Sequence, residues 1–134
     1  LLEKLRQRGC IIGLGTSRTE YSLMNYMHDL GLEKCMDVIV TMNDVTRHKP
    51  DPETIDAVLR KMTSLSPGSQ IPDEVREAAV MIGDTKYDIG CANNAGVDSV
   101  LVGWSHYVDE EEMAAEGFEP THRIGTPLQL LDII

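Results

Sequence analysis

The chain is short and acidic, with 134 residues and a net charge of −10 at pH 7. This length allows one domain that buries its own core. The acidic balance and the lack of a basic run argue against nucleic acid and against a membrane as partners. No stretch approaches the ~20 apolar residues of a membrane span.

Strand and helix signals alternate along the sequence. In chain order it predicts a helix at 1–8, a strand at 10–15, a helix at 19–30, a strand at 37–41, a helix at 51–62, a strand at 79–83, a helix at 85–95, a strand at 99–104, an acidic helix near 110–116, a strand at 122–124 and a helix at 127–134. Residues 63–72, rich in Pro, Gly, Ser and Thr, are expected to form a surface loop. This alternation predicts an α/β fold, with a parallel sheet and helices on both faces, as one domain over 1–134.

The cysteines point to a reducing compartment. Cys10, Cys35 and Cys91 are odd in number, far apart and each beside apolar residues. This pattern favours buried free thiols over a disulfide or a metal site, and we therefore expect a cytoplasmic protein.

The most informative segment is 79–88, where an apolar run stops at Gly83 and two aspartates follow. Asp84 is expected at the carboxyl tip of the strand, and Asp88 in the first turn of the next helix, facing the same crevice. Open α/β sheets bind ligands at this edge, and paired carboxylates suit a hard cation such as Mg²⁺. The segment therefore predicts a magnesium site beside a phosphate-type substrate.

Two further polar sites follow predicted strands in the same way. Thr16 and Ser17 come after the first strand, and Lys49 lies in the loop before the third helix. The three sites are roughly one βαβ unit apart, so adjacent parallel strands would gather them at one edge. A hydroxyl, an ammonium and a carboxylate-bound cation together suit a phosphoryl group.

These motifs resemble those of the haloacid dehalogenase (HAD) superfamily, in particular its phosphoglycolate-phosphatase-like and pyrophosphatase-like members. Ile11–Arg18 is similar to motif II, a Thr or Ser after an apolar strand, and Arg47–Glu53 contains the Lys-Pro-x-Pro form of motif III. Gly83–Asp88 matches motif IV, Gly-Asp-x-x-x-Asp. The resemblance spans nearly the whole chain and implies a Rossmann-like core and a phosphatase descent.

The resemblance also implies roles for single residues. Thr16 would bind the phosphoryl oxygens and Lys49 would bridge phosphate and nucleophile, so both count as catalytic. Ser17 and Arg18 would add phosphate contacts. The substrate would be a small phosphorylated molecule, a phosphomonoester or pyrophosphate.

For the metal, the resemblance implies Mg²⁺ held by Asp84, with Asp88 in direct contact or one step behind it. A Gly-Asp-x-x-x-Asp motif favours a metal-dependent phosphatase over a true haloacid dehalogenase, whose chemistry needs no cation.

Motif I of the family, Asp-x-Asp-x-Thr/Val, does not occur in this sequence. It would supply the nucleophilic aspartate, and both its central strand and the cap domain precede motif II. We therefore expect 1–134 to be the C-terminal part of a catalytic core. An N-terminal segment of the same protein would complete it, and the chain alone would be inactive. The alternative is a non-catalytic metal- or phosphate-binding module of HAD type.

Other motif readings are weaker. Gly13-x-Gly15 suggests a dinucleotide site, but Arg18 stands where the third glycine is needed. A receiver domain would carry its acidic residues before its Thr and Lys, the reverse of the order here.

Overall fold

A computed structural model describes all residues, 1–134, and shows two compact units. The first contains residues 1–48 and 53–71, and the second contains residues 49–52 and 72–134. Each unit has its own parallel sheet. The single sheet expected from the sequence is therefore represented by two separately paired sheets.

The first unit has two strands, three α-helices and a 3-10 helix. These are α1 (Leu2–Gln7), β1 (Gly13–Gly15), α2 (Glu20–Leu30), the 3-10 helix Glu33–Cys35, β2 (Val38–Val40) and α3 (Glu53–Met62). β1 and β2 run parallel, with Gly13 opposite Val38 and Gly15 opposite Val40. α3 packs against both strands.

The glycines of β1 allow α3 to lie close to the sheet. A Cβ on Gly15 would stand 2.9 Å from Thr54 Cγ2, and one on Gly13 would stand 2.6 Å from Val58 Cγ1. Larger residues at either position would push the helix away from the strand. β1 is therefore set by close packing as well as by apolar character.

The second unit has a three-stranded parallel sheet in the order β3-β4-β5. Its elements are α4 (Asp73–Glu77), β3 (Val80–Gly83), α5 (Lys86–Ala95), β4 (Asp98–Val102), α6 (Glu110–Ala115), β5 (His122–Ile124) and the 3-10 helix Pro127–Asp132. α5 packs on β3 and β4. A buried cluster of Ile89, Leu101 and Met113, with Val108 and Phe118 against it, joins α5 and α6 to β4.

Most predicted elements are confirmed, with boundaries that shift for local reasons. Glycines in the left-handed conformation end α2 and α5, Gly31 at φ 65° and Gly96 at φ 69°. Four of the five strands are shorter than predicted because only the paired residues form ladders, so β4 stops at Val102 rather than at Trp104. β5 has its predicted bounds, His122–Ile124. α4 was missed, and the terminal segment is a 3-10 helix. No helix here is both long and apolar enough to cross a bilayer.

None of the three cysteines forms a disulfide. Cys91 is buried, as predicted, whereas Cys10 and Cys35 are only half-buried. The prediction of burial from apolar neighbours was therefore right for one thiol and too strong for two, because neighbours in sequence do not fix which way a side chain faces.

The strands that carry motifs II and IV each lie at an edge of their own sheet. β1 pairs only with β2, and β3 pairs only with β4. β1 and β3 therefore each leave one edge without a paired strand from this chain.

Candidate functional site

The second unit places Asp84 at the carboxyl end of β3 and Asp88 in the first turn of α5. Thr85 is the N-cap of α5, where its hydroxyl accepts a hydrogen bond from Asp88 N while the Asp88 carboxylate accepts one from Thr85 N. This reciprocal capping box fixes the start of the helix. The helix begins at Lys86, one residue later than predicted.

Both carboxylate oxygens of Asp88 are engaged by protein groups. Oδ2 accepts from Asp84 N at 3.2 Å, from Thr85 N at 3.1 Å and from Thr85 Oγ1 at 2.9 Å. Oδ1 accepts from Lys49 Nζ at 2.6 Å, and the two side chains are only 11% and 8% exposed. Asp88 therefore holds the lysine and the end of β3 in place.

Gly83 makes this arrangement possible. A Cβ at this position would collide with Asp88, with its Cγ at 2.7 Å and its Oδ2 at 2.8 Å. The glycine of motif IV is thus required by the close approach of the Asp88 side chain to the end of β3.

The carboxylate of Asp84 is much less constrained. Its Oδ2 lies 3.4 Å from Ser105 Oγ, and its Oδ1 contacts no hydrogen-bonding group of the protein. The side chain is half-buried. Asp84 therefore keeps coordination capacity that Asp88 does not have.

Ser105 belongs to none of the motifs in the sequence. It follows β4, which pairs in parallel with β3, so the loop after β4 reaches the same edge of the sheet as Asp84. The available signal was a polar residue shortly after the strand that neighbours motif IV.

Side chains of α5 hold the segment that carries Lys49. Asn94 Nδ2 donates to Pro50 O at 2.9 Å, and Cys91 Sγ donates to Asp51 O at 3.1 Å. The Lys49–Pro50 peptide bond is cis. The lysine is therefore fixed by its own ion pair and by its backbone neighbours, which the sequence did not reveal.

Thr16, Ser17 and Arg18 belong to the first unit, directly after β1. Thr16 N donates to Val40 O at 3.0 Å, and Thr16 Oγ1 accepts from Arg18 N at 3.1 Å. Because that oxygen accepts from the backbone, its hydrogen remains available for an acceptor in solvent. Ser17 and Arg18 are exposed, and the Arg18 guanidinium lies 5.5 Å from the centroid of the Tyr26 ring.

Within the first unit, Glu53 fixes the loop that precedes Lys49 in the chain. Its carboxylate accepts from Thr46 N at 2.9 Å and from Arg47 N at 2.8 Å, as well as from the Thr46 hydroxyl. The hydrogen bond from the Thr46 backbone is the largest of the influences that lower the pKa of Glu53.

The donor set matches a magnesium ion in kind but is incomplete. No three His, Cys, Asp or Glu side chains come together at a place that could hold a metal. Mg²⁺ is commonly bound through one or two carboxylates with waters and substrate phosphate, and the open Asp84 carboxylate is one such ligand. The residues present therefore fit part of a magnesium site.

Residues 1–102 match the model of the family described as haloacid dehalogenase-like hydrolase. The chain belongs to this family. Motifs II, III and IV all lie within the matched residues, so the resemblance read from them is confirmed.

Proteins similar to this chain include pyrophosphatases. The chain is 36% identical over 134 residues to a protein of Caldanaerobacter subterraneus named provisionally as pyrophosphatase PpaX, covering 100% of this chain and 55% of that protein. It is 28% identical over 133 residues to pyrophosphatase PpaX of Halalkalibacterium halodurans, covering 99% and 56%. The chain thus spans about half the length of the curated relatives it matches.

The fold agrees with solved structures of the same family. An HAD phosphatase from Thermococcus onnurineus superposes with a TM-score of 0.75 at 26% identity, covering 98% of this chain and 54% of that one. The Rossmann-like α/β fold predicted from the sequence is therefore confirmed, and here too the match extends over about half of the larger chain.

Proposed function

We propose that this chain carries part of the active site of a magnesium-dependent phosphatase that hydrolyses a phosphomonoester or pyrophosphate. The observation that carries the proposal is the division of labour between the two aspartates. The Asp88 carboxylate accepts hydrogen bonds from Lys49 and from the end of β3. At the same edge of the sheet, the Asp84 carboxylate keeps one oxygen without a hydrogen bond. A held ammonium and an open carboxylate are what a phosphate–metal centre requires.

Asp84 would hold Mg²⁺ directly, and Asp88 would act through Lys49 and the backbone of Asp84. When bound, the ion would neutralise charge on the phosphoryl oxygens. Lys49 would bind the same group as a point charge, since its ammonium is fixed at 2.6 Å from Asp88 and is largely shielded from water.

Thr16 would donate its free hydroxyl hydrogen to a phosphoryl oxygen, and Ser17 and Arg18 would contribute a further hydroxyl and a guanidinium. Support comes from the hydrogen bond that Thr16 Oγ1 already accepts from Arg18 N. That bond orients the hydroxyl and leaves its hydrogen for the substrate.

A nucleophile would come from sequence outside these 134 residues. The chain contains no Asp-x-Asp, and its pyrophosphatase relatives are nearly twice as long. We propose that an N-terminal segment of the same polypeptide supplies the aspartate that forms the aspartyl-phosphate, and that the 134 residues alone do not turn over substrate.

A second candidate is a non-catalytic module that binds a metal or a phosphate. Such a module would bind through the same open Asp84 carboxylate and fixed Lys49 ammonium, without a nucleophile. The coding sequence upstream of Leu1 separates the two, because only the enzyme needs an Asp-x-Asp-x-Thr/Val motif there.

The test is a phosphatase assay on the protein expressed from its complete coding sequence. p-Nitrophenyl phosphate and pyrophosphate are each offered with and without Mg²⁺. We expect hydrolysis that requires the metal and falls about 100-fold or more in Asp84→Asn. The matched control is Asp98→Asn, at an exposed aspartate at the start of β4, which should keep wild-type activity. Turnover by the 134-residue chain alone, or activity indifferent to Mg²⁺, would contradict the proposal.

A further inference from the structure

We propose that Ser105 is a positioning residue that orients the Asp84 carboxylate toward the cation, an inference that rests on the proposed function. Ser105 Oγ lies 3.4 Å from Asp84 Oδ2 and 3.5 Å from the backbone oxygen of Asp84. Within these 134 residues, the hydrogen bonds to that carboxylate come from Ser105 alone. Within these 134 residues, Ser105 is therefore the hydrogen-bonding group placed to favour one oxygen of Asp84 over the other.

The direction of the hydrogen bond follows from the other partner of the serine. Tyr107 N lies 3.4 Å from Ser105 Oγ and can only donate to it, so the hydroxyl hydrogen is left for Asp84. At these lengths the contacts are longer than ordinary hydroxyl hydrogen bonds, and their effect is to restrain rotation rather than to add much stability. With Oδ2 held, Oδ1 is the oxygen that remains for a cation.

The loop that carries Ser105 is anchored at both ends. At the β4 end, Gly103 N donates to Ile124 O at 2.7 Å. At the other end, Asp109 caps α6 by accepting from Glu112 N at 3.0 Å, and Met113 of that helix is buried. The serine is thus presented by a short segment between two fixed elements.

Lys86, a residue of motif IV, connects α6 to the start of α5. Its ammonium lies 2.6 Å from Glu112 Oε1 and 2.7 Å from Glu116 Oε1, and the lysine side chain is 17% exposed. One residue of the motif IV segment therefore fixes the helix whose preceding loop places Ser105 beside Asp84.

The test measures binding of Mn²⁺ alone, as a paramagnetic probe for the site, to the protein expressed from its complete coding sequence. Free Mn²⁺ is followed by electron paramagnetic resonance with no substrate present. We expect Ser105→Ala to weaken binding about fivefold, the loss of one restraining hydrogen bond, and Ser105→Thr to restore it because the hydroxyl is kept. Ser66→Ala, at an exposed loop serine in the first unit, is the matched control and should bind as wild type.

An activity measurement adds a second readout. In Ser105→Ala the Mg²⁺ concentration for half-maximal activity should rise by a similar factor, while kcat at saturating Mg²⁺ stays close to wild type. A serine that acted only on folding would lower the amount of active protein at every Mg²⁺ concentration and leave that half-maximal concentration unchanged.

The outcomes separate the two proposals. If Ser105→Ala binds Mn²⁺ as tightly as wild type while Asp84→Asn loses it, the positioning role is overturned and the metal site stands. If Ser105→Thr is as weak as Ser105→Ala, the hydroxyl is not the cause and the positioning role is again overturned. If wild-type protein binds no Mn²⁺, or Asp84→Asn binds it unchanged, the proposed function itself fails.

Discussion

Lys49 donates to the Asp88 carboxylate at 2.6 Å although 39 positions separate the two residues in the chain. The pair joins motif III to motif IV inside the second unit, and both side chains are about nine-tenths buried. Buried ion pairs are costly to break because the remaining partner is left with an uncompensated charge. The pair therefore links the placement of the lysine to the start of α5.

Removal of either partner should destabilise the protein, but by unequal amounts. Lys49→Met leaves Asp88 with three other donors, so we expect a loss of about 1–3 kcal/mol in the free energy of unfolding. Asp88→Ala leaves both the Lys49 ammonium and the donors at the start of α5 without their acceptor. We therefore expect a loss of about 3–5 kcal/mol in the free energy of unfolding. Urea denaturation of both variants and of the double variant measures the coupling.

The control for these variants is Asp98→Asn, which should unfold at the wild-type urea midpoint because its side chain is exposed. A larger loss for Lys49→Met than for Asp88→Ala would show that Asp88 does not have the extra partners described here. Strict additivity in the double variant would show that the two residues do not interact in solution.

Gly83→Ala should disturb the ion pair between Lys49 and Asp88 without changing either of these residues. The new methyl group would overlap the Asp88 side chain, so we expect a loss of about 1–3 kcal/mol and a weaker coupling between Lys49 and Asp88. The measurement is the urea midpoint of Gly83→Ala alone and combined with Lys49→Met. Gly125→Ala, where the nearest atom to a new Cβ is at 3.6 Å, is the control. Equal midpoints for the two alanine variants would contradict the close approach.

Glu53 should stabilise the protein in a pH-dependent way. Hydrogen bonds from Thr46 and Arg47 lower its pKa from the ordinary value of 4.5, so its contribution is present above pH 4.5 and is lost as pH falls through the lowered value. We expect Glu53→Gln to lower the thermal midpoint at pH 7 and to approach wild type as the pH falls well below 4.5. Glu77→Gln, at an exposed glutamate at the end of α4, should follow wild type throughout. A difference that grows on acidification would refute the assignment.

Lys86 should show the opposite dependence. Hydrogen bonds to Glu112 and Glu116 raise its pKa above the ordinary value of 10.5, so its contribution is complete below that pH and is lost only as pH rises through the raised value. We expect Lys86→Met to lower the thermal midpoint by the same amount from pH 7 to about pH 10, with the difference shrinking beyond pH 10.5. Lys34→Met, at an exposed lysine of the first unit, is the control. If the difference in thermal midpoint is already lost by pH 9, the raised pKa of Lys86 is contradicted.

Local signals in the sequence predicted much of this structure. Thr85 and Asp88 stand at capping-box spacing, and Gly96 follows the last apolar position, so both ends of α5 could be placed within a residue. Four of the five strands were predicted too long, because a strand ends where its partner ends. β5 has only three residues, and its last one, Ile124, lies opposite Val102.

The pairing inside the site was harder to predict. The spacing indicated that Asp84 and Asp88 lie near one edge, but it gave both the same status as possible metal ligands. Which of them stays open depends on Lys49 and Ser105, and those contacts join residues 39 and 21 positions apart. The roles of Thr16, Ser17 and Arg18 toward a phosphate stay predictions.

The capping box at the start of α5, together with the contact between Gly83 and Asp88, requires a fixed number of residues from Gly83 to Asp88. Each residue turns an α-helix by about 100°, so an insertion or deletion before Asp88 would swing its carboxylate to another side of the helix. A substitution within the segment could keep this spacing. A change in its length would break the capping box of Thr85 and Asp88 and the ion pair of Asp88 with Lys49 together. In this family member the count of residues between Gly83 and Asp88 is therefore as much a part of the site as the residues themselves.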